Sequence, residues 1–178
     1  MDQVTAISIF VLWFALMLPA ISQLLSRKPR LLKLAKYFIF GVYVLANLYE
    51  TILFRAVKPE MTAAWEPLWS YRKSLSIVDG LRIDDLELFE EILLNILLYI
   101  PLGYLLPFTW CWFRSERLLS VRVILVGFVC SALTEITQLV FRIGLFEFDD
   151  MINNTLGCAV GCLLYGLIMR RHDRRSQV

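Results

Sequence analysis

A single histidine, His172, stands in the whole chain, and the four cysteines, Cys111, Cys130, Cys158 and Cys162, show no C-x-x-C spacing. A zinc site of the usual Cys/His kind is therefore not expected, and neither is a nucleophile activated by a neighbouring histidine. Charge is scarce too. Only 19% of the 178 residues are charged while 58% are hydrophobic, and the mean hydropathy of +0.64 is above what a water-soluble domain of this size carries. Sequence repeats, low-complexity tracts and room for a second domain are all lacking. What is present is a set of long apolar runs, and the bilayer is the solvent they suit.

Five such runs predict an all-α membrane protein, a single domain over 1–178, with spans at about 4–25, 37–54, 92–113, 123–141 and 151–169. A four-span arrangement is the main rival. The first run, Val4 to Leu25, is too long for a signal-peptide core and has no basic residues ahead of it, so it is expected to stay attached. The third carries Pro101 and Pro107 and is expected to be interrupted there. Cys158 and Cys162, four residues apart on one helix face, are expected to pack rather than to act as a redox pair.

The net charge of +2 hides a strong asymmetry. Arg27, Lys28, Arg30, Lys33 and Lys36 follow the first run; Arg114, Arg117 and Arg122 follow the third; Arg170, Arg171, Arg174 and Arg175 follow the fifth. These segments hold 12 of the 18 basic residues and only Glu116 and Asp173 of the 16 acids. Basic loops stay in the cytoplasm, so the expected topology is N-out and C-in, a multi-pass cell-membrane protein with a cytoplasmic C-terminus and an extracellular loop at about 56–91. The basic tail is accounted for by this topology, and no nucleic-acid partner is read from it.

Polar residues inside the runs call for an explanation, because an ionisable group at a helix centre costs about 2.5–3.5 kcal/mol on insertion scales. Glu135, Gln138 and Arg142 fall at i, i+3 and i+7 of the fourth run, on one helical face. At ~1.5 Å per residue Glu135 lies about 20 Å from Arg122, in the outer half of the bilayer, and Glu50, counted from Lys36, reaches a similar depth. Arg55 closes the second run, Asn95 lies a turn into the third, and Asp150 and Asn154 share a face of the fifth with Gly157 and Gly161. One pocket open to the outside is the expected result. Pairing of Glu50 or Glu135 with Arg55 or Arg142 merely to hold the bundle is the plain alternative. Gly157 and Gly161 also make a G-x-x-x-G step of the kind that serves helix association, including a homo-oligomer.

These residues carry a resemblance. Glu135-x-x-Gln138, Arg142, Phe148-Asp149-Asp150 and Asn154-Thr155-Leu156-Gly157 with Gly161 resemble the signature of VanZ-like membrane proteins. Asn95 to Gly103, in the form N-x-x-x-Y-x-P-x-G, and Thr51-Ile52-Leu53-Phe54-Arg55 are similar to two further segments of that family, and Glu66-Pro67-Leu68 occupies the place of its short outer-loop element. Glu147 stands where family members often carry aspartate. The resemblance runs from about Tyr37 to Leu167. It implies a cell-envelope setting in Gram-positive bacteria and low-level resistance to teicoplanin, a lipid-tailed glycopeptide antibiotic.

Three functions follow as expectations. In the first, the pocket binds a membrane lipid, a lipid-linked envelope precursor or a lipoglycopeptide antibiotic, with Arg55, Asn95, Gln138, Arg142, Asp149, Asp150 and Asn154 as ligand-binding residues. The second is an intramembrane hydrolase or transferase with Glu135 or Glu50 as the catalytic acid or base, and Glu147, Asp149 and Asp150 as oxygen ligands to a divalent metal. The third, a small ion-coupled transporter, has against it that the polar residues stop short of the cytoplasmic side. No cofactor is read from the sequence.

Overall fold

The computed structural model describes residues 27–53, 55–57, 62–76, 82–114 and 119–175, with residues 17, 21, 24, 25 and 59 besides, and side chains no further than residue 168. The first predicted span, Val4 to Leu25, lies almost wholly outside the described residues. Among these, four helices are long and apolar enough to cross a membrane: Pro29–Leu53, Leu86–Thr109, Val121–Phe141 and Phe148–Ile168.

Helix α1 (Pro29–Leu48) starts on a proline, which loses nothing in the first turn because the amide there has no helical partner. It passes into a π-helical turn at Tyr49–Leu53. The helix therefore begins eight residues before the apolar run and includes Arg30, Lys33 and Lys36, long side chains that favour helix and reach past apolar neighbours. Lys36 Nζ donates to the Phe108 carbonyl at 3.1 Å and lies 4.2 Å from that residue's ring centre. Only Ile39 and Tyr43 of α1 are buried, while Leu34, Phe38 and Leu45 are about two-thirds exposed, an apolar face suited to lipid.

Helix α3 (Leu86–Thr109) is the centre of the bundle, and every residue from Tyr99 to Phe108 is buried. Asp85 caps it, accepting from the Leu88 amide at 3.1 Å, which holds the Asp85 carboxyl below its usual pKa. The stretch 86–91 lies in the expected outer loop, but its apolar residues recur at helical spacing, a pattern that extends the third span outward, and it is helix. The expected interruption of the third run is corrected: the helix continues through Pro101 and ends two residues after Pro107. Neighbouring groups compensate at that end, since Arg114 Nε donates to the Pro107 carbonyl at 3.1 Å beside the Lys36 bond to Phe108.

Helices α4 (Val121–Phe141) and α5 (Phe148–Arg175) complete the bundle. Glycine sets the approach of α5 to α3. A Cβ on Gly103 would fall 1.9 Å from the Cys158 carbonyl oxygen, one on Gly157 2.1 Å from that of Ile96, and one on Gly161 1.9 Å from that of Ile100. The G-x-x-x-G face is thus occupied within the chain. Cys158, fully buried, packs at Gly127 of α4, as the packing expectation had it.

Between α1 and α3 the chain adds short strands that apolar runs do not announce. β1 (Thr62–Ala64) pairs in parallel with β4 (Leu145–Glu147) of the α4–α5 turn, Thr62 opposite Leu145 and Ala64 opposite Glu147. Helix α2 (Trp69–Ser74) follows, then β2 (Leu75–Ser76), antiparallel to β3 (Arg82–Ile83). This segment folds onto the end of the bundle where the polar residues gather.

Candidate functional site: a buried polar end

Arg142, expected on the face of Glu135 and Gln138, is not in helix. It has a left-handed backbone (φ 57°) just past α4, where the Ile143 amide closes back on the Gln138 carbonyl at 3.0 Å. Its side chain is exposed, whereas Glu135 and Gln138 are buried to 1% and 2% exposure. Glu135 Oε2 accepts from the Glu147 backbone amide at 2.9 Å, and Gln138 Nε2 donates to the Thr51 carbonyl at 3.0 Å in the π-helical turn. Glu50, beside Thr51, is half-buried in that turn.

One turn further down, α3, α4 and α5 meet through amides and hydroxyls. Asn95 Nδ2 donates to Asp150 Oδ1 at 2.6 Å, Asn154 Nδ2 to Ser131 Oγ at 2.8 Å, and Ser131 Oγ to the Asp150 carbonyl at 3.5 Å. The predicted Asn95, Asp150, Asn154, Glu135 and Gln138 are thus brought together. Arg55 is the cation whose charge reaches Glu135, Glu147 and Asp150, and Glu91 adds a further negative charge to the same group. In the turn between α4 and α5, burial and then the nearby charges of Glu91, Glu135 and Asp149 push the Glu147 carboxyl up to about 7.

Asp149 does something else. Its side chain is fully buried, with Oδ1 accepting from the Leu68 amide at 2.5 Å and Oδ2 from the Ser70 amide and hydroxyl at 2.9 and 2.6 Å. Leu68 has φ 61°, unusual for a branched side chain, and Asp149 holds it there at the head of α2. Tyr71 of α2 donates to Asn153 Oδ1, and Trp65 stacks on Phe146 with ring centres 4.5 Å apart. Among the described residues no three His, Cys, Asp or Glu side chains form a group that could hold a metal ion.

Below the polar end, α1, α3 and α4 leave an apolar cavity of ≈ 290 Å³, lined by Tyr43, Leu48, Ile52, Leu102, Leu133 and Thr137 among others. Its wall includes Ile52 and Thr134, the chain neighbours of Thr51 and Glu135, while Glu135, Gln138 and Arg55 themselves do not line it.

Several members of this site were not singled out from sequence. Ser131 reads as inner-half packing until Asn154 is seen to bond to it. Asn153 carries a signal in hindsight: next to Asn154 on a helix it must point about 100° away, toward another polar surface. Ser70 and Tyr71 have none, since their partners lie about 80 residues ahead.

Apolar helices that gather buried carboxylates and amides at one end, under a docked connecting segment, define a multi-pass helical membrane protein with an internal polar site. Across residues 4–169 the chain matches the family described as VanZ/LLP1, and it belongs to that family. Over 88 residues it is 35% identical to Protein VanZ of Enterococcus faecium, covering 49% of this chain and 52% of that protein. The match thus spans about half the length of that relative. No solved structure matches the chain.

Proposed function

We propose that this chain is a resistance-associated protein of the cell envelope, lying N-out and C-in, that takes a lipid-tailed amphiphile from the outer leaflet. The tail enters the cavity between α1, α3 and α4, and the head lies against Arg55, Asn95, Gln138, Asp150 and Asn154, with Arg142 at the rim. The observation that carries this reading is an apolar cavity between helices that also carry the buried polar group, with chain neighbours of Thr51 and Glu135 in its wall. Size supports the division of labour: sites for a whole drug-sized ligand run to about 300–1,000 Å³, so ≈ 290 Å³ suits a slender tail and leaves the head outside it. A teicoplanin-type lipoglycopeptide and a lipid-linked envelope precursor both have that build.

The test is equilibrium binding of a teicoplanin-type lipoglycopeptide and of the same glycopeptide without its acyl tail to the protein in lipid nanodiscs. The tailed compound should bind and the tail-less one should not, and Arg55→Ala should weaken the tailed compound about tenfold, the scale of one charge-assisted hydrogen bond. Equal binding of both compounds, or full affinity in Arg55→Ala, would sink the reading.

A second reading, an intramembrane hydrolase or transferase, draws on the bond from the Glu147 amide to the Glu135 carboxylate, within reach of the Arg55 charge. Glu135 would act as the general acid or base. Glu135→Gln should then abolish turnover of an envelope lipid with the unfolding midpoint kept, and turnover that survives the change excludes it.

A further inference from the structure

Gly144 lies in the turn after α4, buried, with a backbone that ordinary L residues adopt. Chain geometry does not demand a glycine here. Space does. A Cβ at this position would sit 2.7 Å from Gln138 Oε1 and 3.1 Å from Arg55 Nη1. With no side chain here, the Gln138 amide oxygen and the Arg55 guanidinium both lie close to the Gly144 backbone.

The orientation of the amide is fixed. Gln138 Nε2 donates to the Thr51 carbonyl, which can only accept, so Oε1 must be the atom that faces Gly144. Gln138 is 2% exposed, and its Oε1 has no protein partner. A ligand group bridging the two beside Gly144 meets an acceptor on one side and a cationic donor on the other. An amine would satisfy Gln138 and repel Arg55; a fully ionised phosphate or carboxylate would satisfy Arg55 and repel Gln138. A hydroxyl both donates and accepts, and it is neutral.

The geometry points to a subsite at Gly144 for one hydroxyl of the ligand's head, which donates its hydrogen to Gln138 Oε1 and accepts one from Arg55 Nη1. This rests on the amphiphile reading and narrows it: the preferred head is a neutral sugar or other polyol, not a bare phosphate.

The experiment measures affinities of the full chain in nanodiscs for three octyl probes below their micelle concentrations: octyl glucoside, its fully O-methylated counterpart and octyl phosphate. Methyl ethers accept hydrogen bonds and cannot donate them. The glucoside should bind about tenfold more tightly than either of the others. Gly144→Ala, whose fold is checked by its unfolding midpoint, should lower glucoside affinity to the level of the methylated probe and leave the latter unchanged. The comparison of probes on the unaltered protein stands without that variant. Equal affinity for glucoside and methylated glucoside, or tightest binding of the phosphate, overturns the subsite while leaving the tail cavity in place. Binding of all three that Leu133→Trp at the cavity mouth fails to reduce, or binding of none, overturns the amphiphile reading itself.

Discussion

Single residues carry contrasting weights here, and glycine shows it best. Gly161 meets the Ile100 carbonyl oxygen at 1.9 Å from where a Cβ would be, whereas Gly41 of α1 has nothing within 4 Å. Gly161→Ala must push α5 off α3 and should cost about 1–3 kcal/mol or more; Gly41→Ala should be neutral or stabilise by up to about 1 kcal/mol through helix propensity. Unfolding midpoints in one detergent check both, and equal midpoints would contradict the close crossing. Glu147 gives a pH dependence. Its carboxyl sits at about 7 when folded, against 4.5 as the ordinary value, so the folded chain holds the proton longer. Stability from this group is complete below about 4.5 and falls as pH rises toward about 7, because there the folded state binds more protons than the unfolded one. In Glu147→Gln the decline between those values should flatten, and an unchanged pH profile would show that Glu147 is not its source.

Among the elements, the connecting segment from β1 to β3 depends most on one side chain. Asp149→Ala leaves the Leu68 and Ser70 amides without their acceptor and Leu68 at φ 61° without support, at a cost of about 1–3 kcal/mol. Hydrogen exchange should accelerate at 62–76 and stay slow in α3; protection at 62–76 equal to that of the unaltered chain would contradict the docking. The sequence revealed these elements unevenly. Apolar runs mark the cores of α1, α3, α4 and α5 because hydropathy alone decides what lipid accepts. They understate α1, whose first two turns are basic, and they give no sign of β1 or β4, three residues each, whose pairing depends on contacts far along the chain. Pro101 misled because its cost is offset by surrounding protein. Of the site, Glu135, Gln138, Asn95, Asp150 and Asn154 were legible as polar residues out of place in apolar runs. Arg142 was misplaced, since the helical spacing that put it on their face stops applying at Phe141. The capping role of Asp149 was illegible, its partners being backbone amides in another segment.

At the scale of the whole molecule, the proposed orientation puts the polar end outside and the end bearing Lys36, Arg114 and Arg122 in the cytoplasm. The Glu66 side chain is 70% exposed at the polar end, and the native Cys111 is exposed at the other. In intact cells an impermeant thiol reagent should label Glu66→Cys and leave Cys111 unlabelled until the membrane is opened. The reverse pattern would invert the topology and turn the polar end away from envelope lipids. The central claim, that a lipid tail lies between α1, α3 and α4, is tested most directly by placing Trp at Leu133, more than half exposed at the cavity mouth. Titrated with a teicoplanin-type lipoglycopeptide in nanodiscs, Leu133→Trp should keep its unfolding midpoint and lose at least about tenfold in affinity, the worth of about 1.4 kcal/mol of tail burial; a folded Leu133→Trp protein that binds as tightly as the unaltered chain would contradict the account.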